Sequence, residues 1–94
     1  MTWARRVDGP HKDIVKALRK VGCEVFDASR VGQGFPDLVV RVPFHQRPHS
    51  RIVLIEVKRP GGKLRPDQRK FLDRWPEVLI VESAEDALAE LGIR

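Results

Sequence analysis

Gly34-Phe35-Pro36-Asp37-Leu38-Val39-Val40 and Ile52-Val53-Leu54-Ile55-Glu56-Val57-Lys58 are the stretches around which the 94-residue chain is organised. Two apolar, β-branched runs flank a connection rich in Pro, His, Arg and Ser, the pattern of two strands joined by a loop. A hairpin over these runs has its centre near positions 46 and 47, and pairing about that centre sets Asp37 opposite Glu56. Side chains opposite one another in an antiparallel pair share a face, as do residues two apart on one strand. Asp37, Glu56 and Lys58 are therefore predicted to converge on one patch of sheet, at the open end of the hairpin.

Two carboxylates and an ammonium at one spot are costly, because like charges repel and desolvation adds to the repulsion. A divalent cation resolves the conflict. One or two carboxylates, with waters and substrate phosphates, are the hard oxygen shell that Mg²⁺ takes in phosphate chemistry. A neighbouring lysine can hold a water or offset charge on the transition state. The cluster reads as a hydrolytic site for phosphodiesters.

Pro36-Asp37, the gap and Glu56-Val57-Lys58 resemble the PD-(D/E)XK signature of the restriction-endonuclease-like nucleases. The wider pattern resembles one branch of them. It comprises the helix Asp13-Ile14-Val15-Lys16-Ala17-Leu18-Arg19, then Val31-Gly32-Gln33-Gly34-Phe35-Pro36-Asp37-Leu38, Glu56-Val57-Lys58, and Leu64-Arg65-Pro66-Asp67-Gln68. That branch is the stand-alone VRR-NUC nucleases of phages and prophages, and the resemblance covers nearly the whole chain. It implies a Mg²⁺- or Mn²⁺-dependent DNA endonuclease in which Asp37, Glu56 and the Val57 carbonyl hold the metal. Lys58 is then the residue that orients the attacking water. Similar stand-alone members imply a homodimer acting on branched DNA, as a four-way (Holliday) junction resolvase. The alternative is a non-catalytic DNA-binding module on a degenerate nuclease fold, against which the intact Asp37, Glu56 and Lys58 set argues. An RNA-processing nuclease of related fold, working with a metal-free His/Tyr/Lys set, is disfavoured because the chain has no tyrosine.

Ninety-four residues make one small domain with a single core, and 41% apolar with 33% charged residues exclude a disordered chain. Neither a membrane span nor a signal-peptide apolar core is visible, and one cysteine, Cys23, fits a reducing compartment; cytoplasm is the expectation, in a bacterial host or from a phage-encoded gene. The net charge of +5 is unevenly spread, at +2 over residues 1–40, +7 over residues 41–74 and −4 over residues 75–94. The basic excess surrounds the predicted site, which favours nucleic acid over a merely solvated face. Lys63, Arg65, Arg69, Arg59 and Arg47 are the candidate phosphate contacts.

Residues 1–10 read as a loose arm. Ile14, Val15, Leu18 and Val21 give an amphipathic helix over residues 11–21, stopped by Gly22. Asp13 falls in its first turn. It either complements the helix N-terminus or, by resemblance, is the helix-borne acid that meets the metal through water, with Asp8 the other candidate for that role. Residues 23–28 read as a first strand with Cys23 a core filler. Gly32, Gly34 and Pro36 either make a tight turn or clear space for a DNA strand, and with Asp37 following the second reading is preferred. His45 and His49 lack the further ligands a zinc site needs.

Pro66 opens a second helix whose apolar face is Leu64, Gln68, Phe71, Leu72 and Trp75. An amide in that stripe needs a partner: either a neighbouring backbone group or, by resemblance, the active site. Arg65 stands where a Ser or Thr cap is preferred. Residues 78–81 are wholly apolar and read as a short strand that is central or buried on both sides. Ser83 and Asp86 start a last helix over residues 84–91, closed by Gly92. The class is α/β in the order αβββαβα, with a mixed central sheet flanked by helices, matching the restriction-endonuclease-like core.

Overall fold

A computed structural model describes residues 9–43 and 51–93. Its elements follow the predicted order: α1 (Gly9–Lys20), β1 (Glu24–Asp27), β2 (Leu38–Val42), β3 (Arg51–Val57), α2 (Pro66–Arg74), β4 (Leu79–Val81) and α3 (Ala84–Glu90). The four strands form one mixed sheet in the order β1-β2-β3-β4. The first three are antiparallel and β4 runs parallel to β3. The arrangement is compatible with a restriction-endonuclease-like core. Arg47 and Asp8, with the two loop histidines, lie outside the described residues.

Alternation along the strands splits the sheet into two unlike faces. Leu38, Val40 and Val42 of β2, Ile55 and Val57 of β3, and Val81 of β4 point to one side. There they join Ile14 and Leu18 of α1 and Ala87 and Leu91 of α3 in one buried cluster, which also takes in Cys23. The opposite side carries Glu24, Phe26, Val39, Arg41, Ile52, Leu54, Glu56 and Ile80, and the first turn of α2 meets it at Glu56.

Helix α1 begins at Gly9, earlier than its apolar spacing predicts, so Asp13 is no longer in the first turn and no acidic residue is. Its end follows the sequence closely. Gly22 adopts φ 95°, Cys23 N donates to Leu18 O at 3.0 Å, and Gly22 N donates to Arg19 O at 3.1 Å. That is a Schellman stop, with Cys23 and Leu18 in contact with the same core. Helix α3 starts as predicted, Ser83 Oγ accepting from Asp86 N at 3.0 Å.

The hairpin register is the one that symmetric pairing predicts: Leu38 faces Ile55, Val39 faces Leu54 and Val40 faces Val53. Extending it by one residue sets Asp37 opposite Glu56. Strand β4 departs from the prediction. It is an edge strand, paired only with β3, and Ile80 is exposed. Three apolar residues in a row reflect one residue turned to the core on either side of one turned to an uncovered face, not burial on both sides.

Gly34 also has a different role from the predicted clearance for DNA. It is buried at φ 80°, and a Cβ there would stand 2.2 Å from the Asp67 carbonyl oxygen. The missing side chain admits the first turn of α2. Beside it Phe35 meets Phe71 edge-to-face, with centroids 5.5 Å apart, so the loop before β2 and α2 are clamped together. Gly34→Ala is expected to destabilise the fold by at least about 2 kcal/mol in urea unfolding, combining the left-handed backbone with a main-chain clash. Unchanged stability would show that the loop and α2 do not meet.

Candidate active site

Asp37 ends the loop and enters β2 pinned from two directions. Its carbonyl accepts from Ala28 N at 2.7 Å, and its Oδ2 accepts from Val57 N at 2.9 Å. The register, continued, would set Pro36 opposite Val57, so the Asp37 carboxylate takes an amide that the diverging chain leaves without a ladder partner. Glu56, on the neighbouring strand and the same face, is only 2% exposed. Lys58 follows two residues later on that face, its Nζ 3.6 Å from Glu56 Oε2.

Gln68 binds these groups together. It sits at the third position of α2 and is 5% exposed. Its Nε2 donates to Glu56 Oε2 at 2.7 Å, while its Oε1 accepts from Lys58 Nζ at 3.0 Å and from Arg65 N at 2.8 Å. Both readings open in the sequence are therefore present in one side chain: it bonds a neighbouring backbone amide and it faces the acidic cluster. The Oε1 contact to Arg65 N is half of a capping box. Arg65 supplies no side-chain cap, and Asp67 Oδ1 accepts from Gln68 N at 2.8 Å instead. Asp67 went unremarked in the sequence, although an acid in the first turn after a Pro is the signal for it.

The Lys58 ammonium has three donors. They face Gln68 Oε1, the Lys63 carbonyl at 3.2 Å, and Glu56. Burial, followed by repulsion from Asp37, pushes the Glu56 carboxyl up to about 7, against the pull of Lys58 and Arg65. One oxygen of each carboxylate is claimed by a protein donor. Among the described residues nothing bonds Asp37 Oδ1 or Glu56 Oε1.

The other predicted side chains among the described residues are exposed. Arg65 is exposed and paired with Asp67 at 3.3 Å, near enough to act on Glu56 electrostatically. Arg69 is exposed on α2, and Lys63 and Arg59 are exposed in the segment joining β3 to α2. Asp13 is exposed and lines a separate depression with Pro10, Pro60, Glu82 and Glu85. No hydrogen bond among the described residues joins it to Asp37, Glu56, Lys58 or Gln68.

A family model described as the VRR-NUC domain matches residues 2–78. The chain belongs to the VRR-NUC family. Membership carries a nuclease-type, DNA-processing function, and the matched span includes Asp37, Glu56, Lys58 and Gln68. A search of curated proteins finds no match to this VRR-NUC chain, and a search of solved structures finds none either. Among the described residues no helix is long and apolar enough to cross a membrane.

The donor set fits a hard divalent ion. No group of three His, Cys, Asp or Glu residues is assembled among the described residues, but two carboxylates with open oxygens are what a cation completed by water and phosphate requires. The protonation of Glu56 has a consequence for stability. An acid whose folded pKa lies above its unfolded value costs nothing below the unfolded value, and it weakens the fold progressively as pH rises through about 7. Glu56→Gln is therefore expected to raise the melting temperature by several degrees near about pH 8 in chelator, with little change near about pH 5. An equal effect at both pH values would show that no buried charge is relieved.

Proposed function

We propose that this VRR-NUC chain is a divalent-metal-dependent endodeoxyribonuclease, acting as a homodimer on branched DNA, with the four-way junction its preferred substrate. The observation that carries the reading is the pair Asp37 and Glu56. Each is fixed by one oxygen and open at the other, beside a lysine oriented by Gln68. A DNA-binding module has no use for two carboxylates held against a phosphate backbone.

Asp37 and Glu56, with the Val57 carbonyl, would hold Mg²⁺ or Mn²⁺. Such an ion, when bound, supplies Lewis acidity to the phosphodiester and acidity to a coordinated water. Lys58 orients the water that adds to phosphorus and offsets the negative charge that builds on the phosphoryl oxygens. One phosphorus–oxygen ester bond breaks, leaving a phosphomonoester and an alcohol. Gln68 is a positioning residue, since it fixes Glu56 and Lys58 relative to each other, and Asp13 is a supporting acid. Lys63, Arg65, Arg69, Arg59 and Arg47 contact phosphates, which reads backbone and shape rather than base sequence. The homodimer follows from the small surface that a chain of this size offers to DNA, and two symmetric sites suit a symmetric junction.

A cleavage panel tests the reading: duplex, single-strand, flap and four-way-junction DNA, with Mg²⁺, Mn²⁺ or EDTA. Metal-dependent cutting that is lost in Lys58→Ala, with metal and DNA binding retained, is the expected result. Paired symmetric nicks in the junction identify the resolvase. Tight binding with no cutting of any substrate would turn the reading to a DNA-binding module. Neutralising Lys63 or Arg69 is expected to reduce the slope of log affinity against log salt by roughly one unit each; an unchanged slope would place those charges in solvent.

A further inference from the structure

Three polar or charged side chains are buried among the described residues: Glu56, Gln68 and His11. The first two belong to the acidic cluster, whereas His11, only 7% exposed, lies apart from it on α1. His11, Ile14, Val15 and Leu18 recur at helical spacing, so the imidazole continues the stripe that α1 turns to the core. A polar group in such a stripe needs a partner, as the Gln68 amide does. For His11 the partner is Asp27, whose Oδ2 stands 3.1 Å from His11 Nε2.

Asp27 closes β1 at the position facing Leu38, on the side of the sheet that α1 covers. Its other oxygen, Oδ1, accepts from Ser29 N at 2.9 Å, an Asx-turn that fixes the backbone of Ala28 between them. Burial pushes the Asp27 carboxyl up, but the Ser29 hydroxyl and amide, followed by His11, outweigh it and hold the group below its usual value. An ionised carboxylate only accepts, so the ring nitrogen of His11 that faces it carries the proton. Both backbone groups of Ala28 are used at this corner. Its carbonyl accepts from Val31 N at 3.0 Å, and its N–H donates to the Asp37 carbonyl at 2.7 Å. The corner that α1 pins is the corner that holds Asp37.

We propose that His11 and Asp27 are positioning residues for the metal-holding carboxylate of Asp37. The inference rests on the metal-dependent reading above. Each of two helices then lends one buried polar side chain to one carboxylate, from opposite faces of the sheet. Gln68 of α2 bonds Glu56 directly. His11 of α1 works through Asp27 and the Ala28 amide, which fixes the Asp37 backbone while Val57 N holds its Oδ2. Asp37 has need of such support. It stands just before β2, beside an edge strand of only 4 residues, and the ends of short edge strands open easily. Without the pin, the amide that holds Asp37 opens with the end of β1. Groups that orient a metal ligand in this way are worth about 10- to 100-fold in metal affinity.

Calorimetric titration with Mg²⁺ or Mn²⁺, and amide exchange by nuclear magnetic resonance in EDTA, test it on the full chain with His11→Phe, His11→Gln and Asp27→Ala. Phenylalanine keeps a ring and loses the donor, whereas glutamine returns an Nε2 donor. Asp27 is half-exposed, so Asp27→Ala is expected to fold even if His11→Phe does not. His11→Phe and Asp27→Ala are expected to weaken metal binding about tenfold, and His11→Gln to recover most of the loss. Added to Asp37→Asn, His11→Phe is expected to cost no further affinity, because residues that act through one another are not additive. Exchange at the Ala28 and Val57 amides, both bonded to Asp37, is expected to quicken about tenfold while that at buried Ile55 stays unchanged. A pair that merely supports the fold would quicken all three amides together and weaken binding equally with and without Asp37→Asn; either result overturns the proposal. Unchanged affinity in both His11→Phe and Asp27→Ala overturns it as well. A wild type that takes up no metal is the failure of the nuclease reading, and exchange at Ala28 and Val57 then upholds or overturns the pin by itself.

Discussion

A carboxylate that is buried on a sheet must find its donors away from the strand ladder, whose amides are already committed. Glu56 is such a group, and the arrangement at its end of the molecule follows from that need. A helix has to cross the sheet and bring a neutral donor, which is the Gln68 amide. The helix can approach closely enough only where the facing loop has no side chain, which is Gly34. The amide then has an oxygen to spare, and that oxygen captures Lys58. One desolvated carboxylate thus ties β3, α2 and the loop before β2 into a single unit.

The parts of this that could be read in the sequence share one property: they depend on near neighbours or on strict alternation. The two apolar runs defined the hairpin register because a one-residue slip would turn Leu38, Val40 and Ile55 away from the core. The same alternation placed Asp37, Glu56 and Lys58 on one face. Gly22 and Ser83 announced helix ends through local geometry. What the sequence left open depends on tertiary approach. Gln68 was visible as an odd amide in an apolar stripe, yet two of its three partners, Glu56 and Lys58, lie well back along the chain. Gly34 looked like room for a ligand and is filled by a helix backbone. The three-residue run of β4 could not reveal which side of it was bare, and Asp13 is exposed on α1 with no hydrogen bond among the described residues to the acidic cluster.

The two faces divide the work of the sheet. One is an ordinary apolar core under α1 and α3. The other carries the acidic cluster at one end and a mixture of apolar residues with the Glu24–Arg41 pair over the rest. This division explains a basic chain with an acidic tail. Positive charge gathers on α2 and the segment before it, around the polar end, while Glu82, Glu85, Asp86 and Glu90 belong to the last turns of chain on the core side.

The hairpin joins Asp37 and Glu56 at one end of β2 and β3, and its connection leaves Val42 and returns at Arg51 at the other. Five paired positions separate the two ends, a span of roughly 17 Å. Closing a longer loop costs only logarithmically more entropy. Chain length at the hairpin tip is therefore decoupled from the geometry of the catalytic end. Lineages of this domain are free to lengthen, shorten or decorate that tip, acquiring new sequence there, while the acidic pair stays in register.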